Sequence, residues 1–190
     1  MAGDKFACRR TDYCTRKQSR DPAFAGIEEV LRSHPFANIV VTGHSLGGAA
    51  AVYATIELRA RYGIDRVTLY TYGQPRVGND VLSQLVTDQG NNYRITHTDD
   101  GVPKLPPEEV PVVDTFTGVY RHISPEYWIS SGLGNDITAF RKLEGLSNYE
   151  GNAGTGQLNL NIIAHIQYFQ TNLYYCVLPL PLELVGGAGT

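Results

Sequence analysis

The sequence lacks the long apolar segments that would place it in a membrane or send it to export. Its most apolar stretch, residues 173–185, is interrupted by Pro179 and Pro181 and falls short of the ~18 uninterrupted apolar residues that a bilayer span needs. The N-terminus has no apolar core of the kind found in a secretory signal. We therefore expect no transmembrane segment, and we do not expect the chain as written to be routed to export.

Charge and cysteine are both scarce, and each scarcity excludes a class of protein. The 19 acidic and 16 basic side chains give a formal net charge of -3, which provides no broad attraction to nucleic acid or anionic membranes. Three cysteines, Cys8, Cys14 and Cys176, allow at most one internal disulfide. Cys8 and Cys14 have no histidine or cysteine partners at metal-ligand spacing, so we expect no metal site.

The first twenty residues differ in composition from the rest. They hold six basic side chains and two acidic ones, which is typical of a solvated, poorly ordered end. The 190 residues, 42% of them hydrophobic, suffice for one core. We therefore expect residues 1–20 to be a disordered or unrelated segment and residues 21–190 to form one domain.

The remainder alternates between strand-like and helix-like segments. A helix should begin at Asp21, with Pro22 in its first turn, and end near Ser33. The β-branched run 38–42 is typical of a strand buried on both faces. Further strands are predicted at 67–72, 93–98, 119–122 and 137–143, and helices at 46–62, 79–86 and 161–175. Residues 99–116, with four prolines, should be irregular. This alternation predicts a parallel, doubly wound α/β sheet.

A catalytic motif lies between the first strand and the helix that follows it. Gly43, His44, Ser45, Leu46 and Gly47 match the pattern G-x-S-x-G, in which a sharp strand-to-helix turn exposes a serine over the carboxyl ends of the strands. We expect the two glycines to permit the strained turn and the close approach of helix and strand. Ser45 is the predicted nucleophile.

A serine hydroxyl needs a base, and this fold orders its triad as serine, acid, histidine. That order excludes His34, and His97 precedes every acid in the loop after its strand. His44 should point away from the Ser45 hydroxyl. His122 and His165 remain as candidate bases. His165 is favoured because it follows the apolar residues 162–164 at the start of the last helix, where a loop could hold it over the edge of the sheet.

The acid should lie at the carboxyl end of the strand after the neighbour of the nucleophile's strand, because the loops converge on the site at that edge. The strand predicted at 93–98 is followed by Asp99 and Asp100. Spacing alone does not choose between these two carboxylates.

With these residues in hand, the sequence resembles the class 3 lipases of filamentous fungi, a family that also includes feruloyl esterases. The resemblance extends from about Pro22 to Cys176. The matching segments are VTGHSLGGA at 41–49, YGQPRVGN at 72–79, YRITHTDDGVPKLPP at 93–107, SPEYWI at 124–129 and AHIQYF at 164–169.

The resemblance implies an α/β-hydrolase fold and a triad of Ser45, Asp100 rather than Asp99, and His165. It makes the backbone N–H of Leu46 one donor of the oxyanion hole. It implies hydrolysis of carboxylic esters, usually acylglycerols at a lipid interface, through an acyl-enzyme. It implies secretion, and it implies neither a metal nor an organic cofactor.

The sequence departs from the family upstream of the nucleophile. Only 44 residues precede Ser45, so the first strands, the lid and the loop that gives the second oxyanion donor have no counterpart. Cys176 matches a family cysteine whose usual partner lies in that missing part. We therefore expect an N-terminally truncated, incomplete sheet with an exposed edge. The hypothesis is a lipase-type esterase, with a feruloyl esterase or a catalytically impaired fragment as alternatives.

Overall fold

The computed structural model describes residues 11–110, 118–132, 138–156, 161–168 and 171–172. The helices are α1 (Thr11–Ser33), α2 (Leu46–Tyr62), α3 (Asp80–Asp88) and α4 (Ile162–Ile166). The strands are β1 (Ile39–His44), β2 (Val67–Tyr72), β3 (Asn92–His97), β4 (Glu109–Val110), β5 (Gly118–Val119), β6 (Glu126–Ile129), β7 (Phe140–Leu143), β8 (Gln167–Tyr168) and β9 (Thr171–Asn172). Cys8, Cys176 and the apolar run 173–185 lie outside the described residues.

Five strands form the main sheet, in the order β1-β2-β3-β6-β7. The first four run parallel, and β7 pairs antiparallel with β6. Two small antiparallel pairs, β4 with β5 and β8 with β9, lie apart from this sheet. The α/β architecture predicted from the alternating pattern is therefore confirmed, with one antiparallel edge strand added to it. No helix in the described ranges combines the length and apolar character needed to cross a bilayer.

The core lies between α2 and the sheet. Ala49, Val52, Leu69, Val86 and Ile123 form its centre and are almost fully buried. Leu69 on β2 and Val52 on α2 have no exposed surface, and burying such a side chain contributes about 1.5–3 kcal/mol. This packing fixes α2 against β1 and β2, and so fixes the turn that joins β1 to α2.

Strand β1 forms one edge of the sheet, and in the described part of the chain nothing pairs with its outer side. Val40 is 62% exposed, whereas Val67 on β2 is fully buried. The prediction that residues 38–42 are buried on both faces is therefore wrong, because Ile39 and Val41 pack against the core on one face of β1 and Val40 and Thr42 are exposed on the other. The exposed edge expected from the sequence is β1.

The first helix is longer than the sequence suggested. It begins at Thr11, ten residues before Asp21, and Pro22 lies in its interior, where it cannot donate a helical hydrogen bond. Arg20 supports this part of the helix, since its Nε donates to Glu57 of α2 at 2.5 Å. Its guanidinium lies 4.9 Å from the centre of the Phe24 ring. The division of the chain at residue 20 into two segments stays a prediction.

The C-terminal elements differ most from expectation. The helix predicted over 161–175 ends at Ile166 and is followed by the β8–β9 pair. The residues after it include β-branched and aromatic side chains, which favour strands. Strand β6 was not predicted, and β5 and β7 occupy only parts of the predicted ranges 119–122 and 137–143.

A cluster of buried polar side chains lies between β3 and β6. Arg94 and Glu126 are partners in the sheet register, and their side chains pair at 3.4 Å with about 3% of each exposed. The Thr96 hydroxyl and the Asn152 backbone N–H also donate to Glu126. His122 is buried nearby, and its Nε2–H donates to the Pro103 carbonyl at 2.7 Å. Burial, reinforced by the positive charges of Arg94 and Arg76, holds the pKa of His122 well below its usual value.

This depressed pKa predicts a loss of stability in acid. The unfolded chain binds a proton at His122 near pH ~6.5, whereas the folded chain stays neutral there, so folding stability falls as pH drops below that value. The contribution of His122 approaches ~1.4 kcal/mol per pH unit. Urea unfolding of the wild type and His122→Gln between pH 7.5 and 5 should give a steeper decline for the wild type. Above pH 8 the two curves should run parallel, and equal slopes throughout would contradict the assignment.

Candidate active site

The turn after β1 holds the predicted nucleophile in a strained conformation. Ser45 has φ 57° and ψ -131°, in a region that non-glycine residues rarely adopt, at a cost of about 1–3 kcal/mol. Its backbone N–H donates to the Tyr72 carbonyl at the end of β2, at 2.9 Å. The side chain of Ser45 is partly exposed. The turn therefore presents the hydroxyl at the carboxyl edge of the sheet.

The glycines of this turn have unequal roles. A Cβ on Gly43 would lie 2.2 Å from the Gly47 carbonyl oxygen, so no larger residue fits at that position. A Cβ on Gly47 would meet nothing within 4 Å beyond its own helix. The close approach of α2 to the sheet occurs instead at Gly48, whose Cβ would lie 3.1 Å from the Gly43 carbonyl oxygen on β1 and 3.4 Å from Thr71 Cβ on β2. The steric role predicted for Gly47 is therefore wrong, because Gly47 faces open space.

Leu46 is the first residue of α2, so its backbone N–H has no acceptor within the helix. The N-terminus of a helix carries a partial positive charge from the aligned peptide dipoles. An oxyanion formed next to Ser45 would meet both this charge and this donor. The Leu46 side chain is 76% exposed.

The loop after β3 provides a fully buried carboxylate. Asp100 has no exposed surface, and three donors surround it. They are the Val102 backbone N–H at 2.9 Å, the Tyr168 hydroxyl at 2.7 Å and the His165 Nδ1–H at 2.9–3.0 Å. A buried charge is tolerated only when it is hydrogen-bonded in this way. Asp99 is partly exposed and points elsewhere, with Oδ1 2.8 Å from Asn161 Nδ2.

His165 lies in α4 between the serine and the carboxylate. Its Nε2 is 2.9 Å from Ser45 Oγ, and its Nδ1 lies within 3.0 Å of both Asp100 oxygens. Because a carboxylate can only accept, Nδ1 carries the proton and Nε2 is free to accept from the serine hydroxyl. The three residues Ser45, His165 and Asp100 thus form one continuous hydrogen-bonded chain.

The other histidines lie outside this chain. The His44 ring stands 4.5 Å from the His165 ring, and its Nε2–H donates to the His165 carbonyl at 2.7 Å. Burial lowers the pKa of His44. His97 bonds to the carbonyls of Ala164 and Gly132. His122, the other histidine left open by the sequence, lies in the polar cluster described above.

Tyr168 was not found from the sequence. It is buried, its hydroxyl donates to Asp100, and its ring contacts His44, Tyr72 and His97 edge-on. Burial, and then the negative charge of Asp100, raises the pKa of Tyr168 well above its usual value, so the phenol keeps its proton. The available signals were its position three residues after His165 and its place in the segment AHIQYF, which carries part of the family resemblance. Within the described ranges, no group of three or more histidine, cysteine and acidic side chains is placed to bind a metal.

The family model for class 3 lipases matches residues 10–110. The chain is 41% identical over 156 residues to the secreted mono- and diacylglycerol lipase A of Penicillium cyclopium, covering 80% of this chain and 48% of the relative. It is 45% identical over 152 residues to the secreted mono- and diacylglycerol lipase 1 of Fusarium solani, covering 77% and 42%. The chain spans about half the length of these curated relatives.

Solved structures give the same likeness. The mono- and diacylglycerol lipase of Aspergillus oryzae superimposes with a TM-score of 0.72 at 37% identity. The superposition covers 86% of this chain and 59% of that structure. The similarity therefore extends from the sequence to the fold.

Gly73 offers a test of this geometry, because it has φ 57° and lies against the buried pair. A Cβ there would be 2.8 Å from Asp100 Oδ2 and 2.9 Å from His165 Nδ1. Gly90 has φ 71° with nothing within 4 Å of its Cβ position, so Gly90→Ala carries the same kind of backbone strain without the clash.

Both Gly73→Ala and Gly90→Ala should lose about 1–2 kcal/mol of stability from the left-handed backbone. Only Gly73→Ala should displace the Asp100–His165 pair and slow the reaction of Ser45 with a fluorophosphonate, by up to about 100-fold. Urea unfolding and labelling kinetics measure the two effects separately. Equal labelling rates for the two variants would contradict the described site.

Proposed function

The chain belongs to the class 3 lipase family, and from that premise we propose that it hydrolyses carboxylic esters, with Ser45 as nucleophile, His165 as general base and acid, and Asp100 as the orienting carboxylate. The observation that carries the proposal is the hydrogen-bonded chain from Ser45 Oγ through His165 to Asp100. A serine hydroxyl becomes an effective nucleophile when such a base takes its proton.

In the first half-reaction Ser45 Oγ attacks the carbonyl carbon of the ester, and its proton passes to His165 Nε2. Asp100 stabilises the imidazolium and fixes its orientation without itself becoming protonated. The tetrahedral intermediate collapses when His165 returns the proton to the leaving alcohol. The product of this step is an acyl-serine at Ser45.

In the second half-reaction water attacks the acyl-serine and gives its proton to His165, which then protonates Ser45 as the carboxylic acid leaves. In both halves the negative charge on the former carbonyl oxygen develops beside the Leu46 N–H at the start of α2. One such donor contributes about 3 kcal/mol of transition-state stabilisation.

The surroundings of the serine favour an apolar acyl group. Leu46, Ile162 and Ile163 flank the nucleophile and the base in sequence, and their side chains are 76%, 61% and 50% exposed. Exposed apolar side chains around a reactive centre are typical of contact with an apolar ligand or surface. The named relatives act on mono- and diacylglycerols, so we propose acylglycerols presented at a lipid surface as the substrate. Since both relatives are named as secreted, we also propose that the chain acts outside the cell.

The first test is labelling with a fluorescent fluorophosphonate, read alongside hydrolysis of p-nitrophenyl butyrate and of a diacylglycerol emulsion. The wild type should label and hydrolyse both esters. Ser45→Ala should lose labelling and fall to the buffer rate, because the substitution removes the hydroxyl that attacks the ester. Ser33→Ala, an exposed serine at the end of α1, is the matched control and should behave as the wild type.

Three outcomes would change the conclusion. Folded wild-type protein that does not label would exclude an activated serine. Labelling without turnover would show an impaired chain that forms the covalent adduct but does not complete the cycle. Faster hydrolysis of methyl ferulate than of the diacylglycerol would replace the acylglycerol assignment with that of a feruloyl esterase.

A further inference from the structure

The carboxylate next to the proposed triad acid has no role in the scheme above, yet it contacts the helix that carries the base. Asp99 Oδ1 accepts a hydrogen bond from Asn161 Nδ2 at 2.8 Å. Asn161 is the N-cap of α4, and its Oδ1 accepts from the backbone N–H groups of Ile163 and Ala164 at 3.1 Å each. One amide side chain therefore joins the loop after β3 to the first turn of the helix that holds His165.

Helix α4 has only five residues, so it depends on contacts outside itself. An isolated helix of that length is unstable, and its N-cap satisfies backbone donors that have no helical acceptor. The Asn161 side chain must itself be held in place if it is to fix the helix. Its amide group, Nδ2, donates to Asp99. The bond between Asp99 and Asn161 is therefore one of the contacts that position the helix carrying His165.

The loop that carries Asp99 is itself well fixed. The Asn152 side chain donates to the Thr98 and Asp100 carbonyls at 3.1 and 2.9 Å. Asp99 and Asp100 are consecutive, so Asp99–Asn161 and Asp100–His165 connect the same two segments at neighbouring points. The bonds of His44 and His97 to carbonyls of α4 hold the end of the helix, whereas the Asp99–Asn161 bond holds its first turn.

We propose that Asp99 is a positioning residue that acts through Asn161 to hold His165 Nε2 against Ser45 and His165 Nδ1 against Asp100. The inference rests on the proposed function for its kinetic consequence. Its structural consequence, the fixed orientation of the His165 ring, is independent of that function. The hydrogen bonds that the structure describes for the Asp99 side chain go to Asn161 and Thr98 and not to Ser45 or the His165 ring.

The variants distinguish the Asp99–Asn161 hydrogen bond from the N-cap function of Asn161 and from the negative charge of Asp99. Asp99→Ala removes the acceptor, whereas Asp99→Asn keeps an oxygen that can accept from Asn161 and removes only the charge. Asn161→Ser keeps a good N-cap and loses the donor to Asp99. The double variant Asp99→Ala with Asn161→Ser tests whether the two residues act through one bond. Asp65→Ala, an exposed carboxylate in the turn before β2, is the matched control.

Two measurements are made on the full chain. The first is the NMR signal of the His165 Nδ1–H, assigned by its absence in His165→Gln, and its rate of exchange with water. The second is kcat and KM for p-nitrophenyl butyrate, with thermal unfolding recorded in parallel. A residue that only stabilises the fold would lower the unfolding temperature and leave the Nδ1–H exchange rate unchanged.

Asp99→Ala and Asn161→Ser should each speed Nδ1–H exchange and lower kcat by about 10- to 100-fold, the size expected for a misplaced base, with little change in KM. Asp99→Asn should restore most of both readouts. The double variant should be no worse than the more affected single variant. The control should match the wild type.

The outcomes distinguish this inference from the proposed function. If the wild type does not hydrolyse esters but Asp99→Ala speeds exchange of the His165 Nδ1–H with water, the proposed function fails and the positioning role stands. If the wild type hydrolyses esters and neither Asp99→Ala nor Asn161→Ser changes exchange or kcat, the positioning role is overturned. It is also overturned if exchange quickens while kcat is unchanged, or if the losses in the double variant simply add.

Discussion

The carboxylate of Asp100 is fully buried, and the rest of the site is arranged around the need to compensate its charge. An uncompensated buried carboxylate is very costly, so the fold must bring donors to it from separate parts of the chain. Val102 belongs to the same loop, His165 to α4 and Tyr168 to β8. Satisfying this one charge therefore brings the C-terminal segment onto the carboxyl edge of the sheet, where Ser45 lies.

The sheet supplies the other half of that constraint. Parallel strands end at a common edge, and the residues after β1, β2 and β3 continue the sheet hydrogen bonds for one more step. Ser45 donates to Tyr72, Gly73 to Ile95 and Thr98 to Ile129. These bonds fix the residue at which each loop leaves the sheet. Ser45 and Gly73, the first residues after β1 and β2, both have a φ of 57°.

The strand-turn-helix units that are contiguous in the sequence were predicted well. The elements that depend on pairing or packing with distant parts of the chain were predicted less well. β-branched runs followed by glycine and an alanine-rich helix identify β1 and α2, because both periodicities are regular over many residues. Strand β6 has only four residues and pairs with chain-distant β3, so no local pattern marks it. The last helix was predicted too long because residues after Ile166 give a weak helical spacing, whereas contacts to Asp100 and Ile95 draw Tyr168 into the core.

Within the candidate site, the residues that could be predicted lie in sequence motifs. The roles that could not be predicted depend on contacts made in the folded chain. The serine turn is a contiguous pattern, so Ser45 and its neighbours were identifiable. Asp99 and Asp100 are chemically identical and adjacent, and residue spacing could not separate them. Their different partners do: one carboxylate is buried against His165 and the other bonds Asn161 near the surface. An asparagine before an apolar run is a recognisable N-cap, but its second hydrogen bond depends on the folded arrangement.

The backbone of Ser45 has a consequence for how such a sequence can change over time. Glycine adopts φ near 57° without the penalty that serine carries, so a glycine at this position would relieve the strain and make the turn more stable. Mutational drift toward greater stability alone would remove the hydroxyl. A serine retained at this position therefore marks a place where stability and chemistry are opposed, and where a more heat-resistant descendant would have to gain its stability elsewhere in the fold.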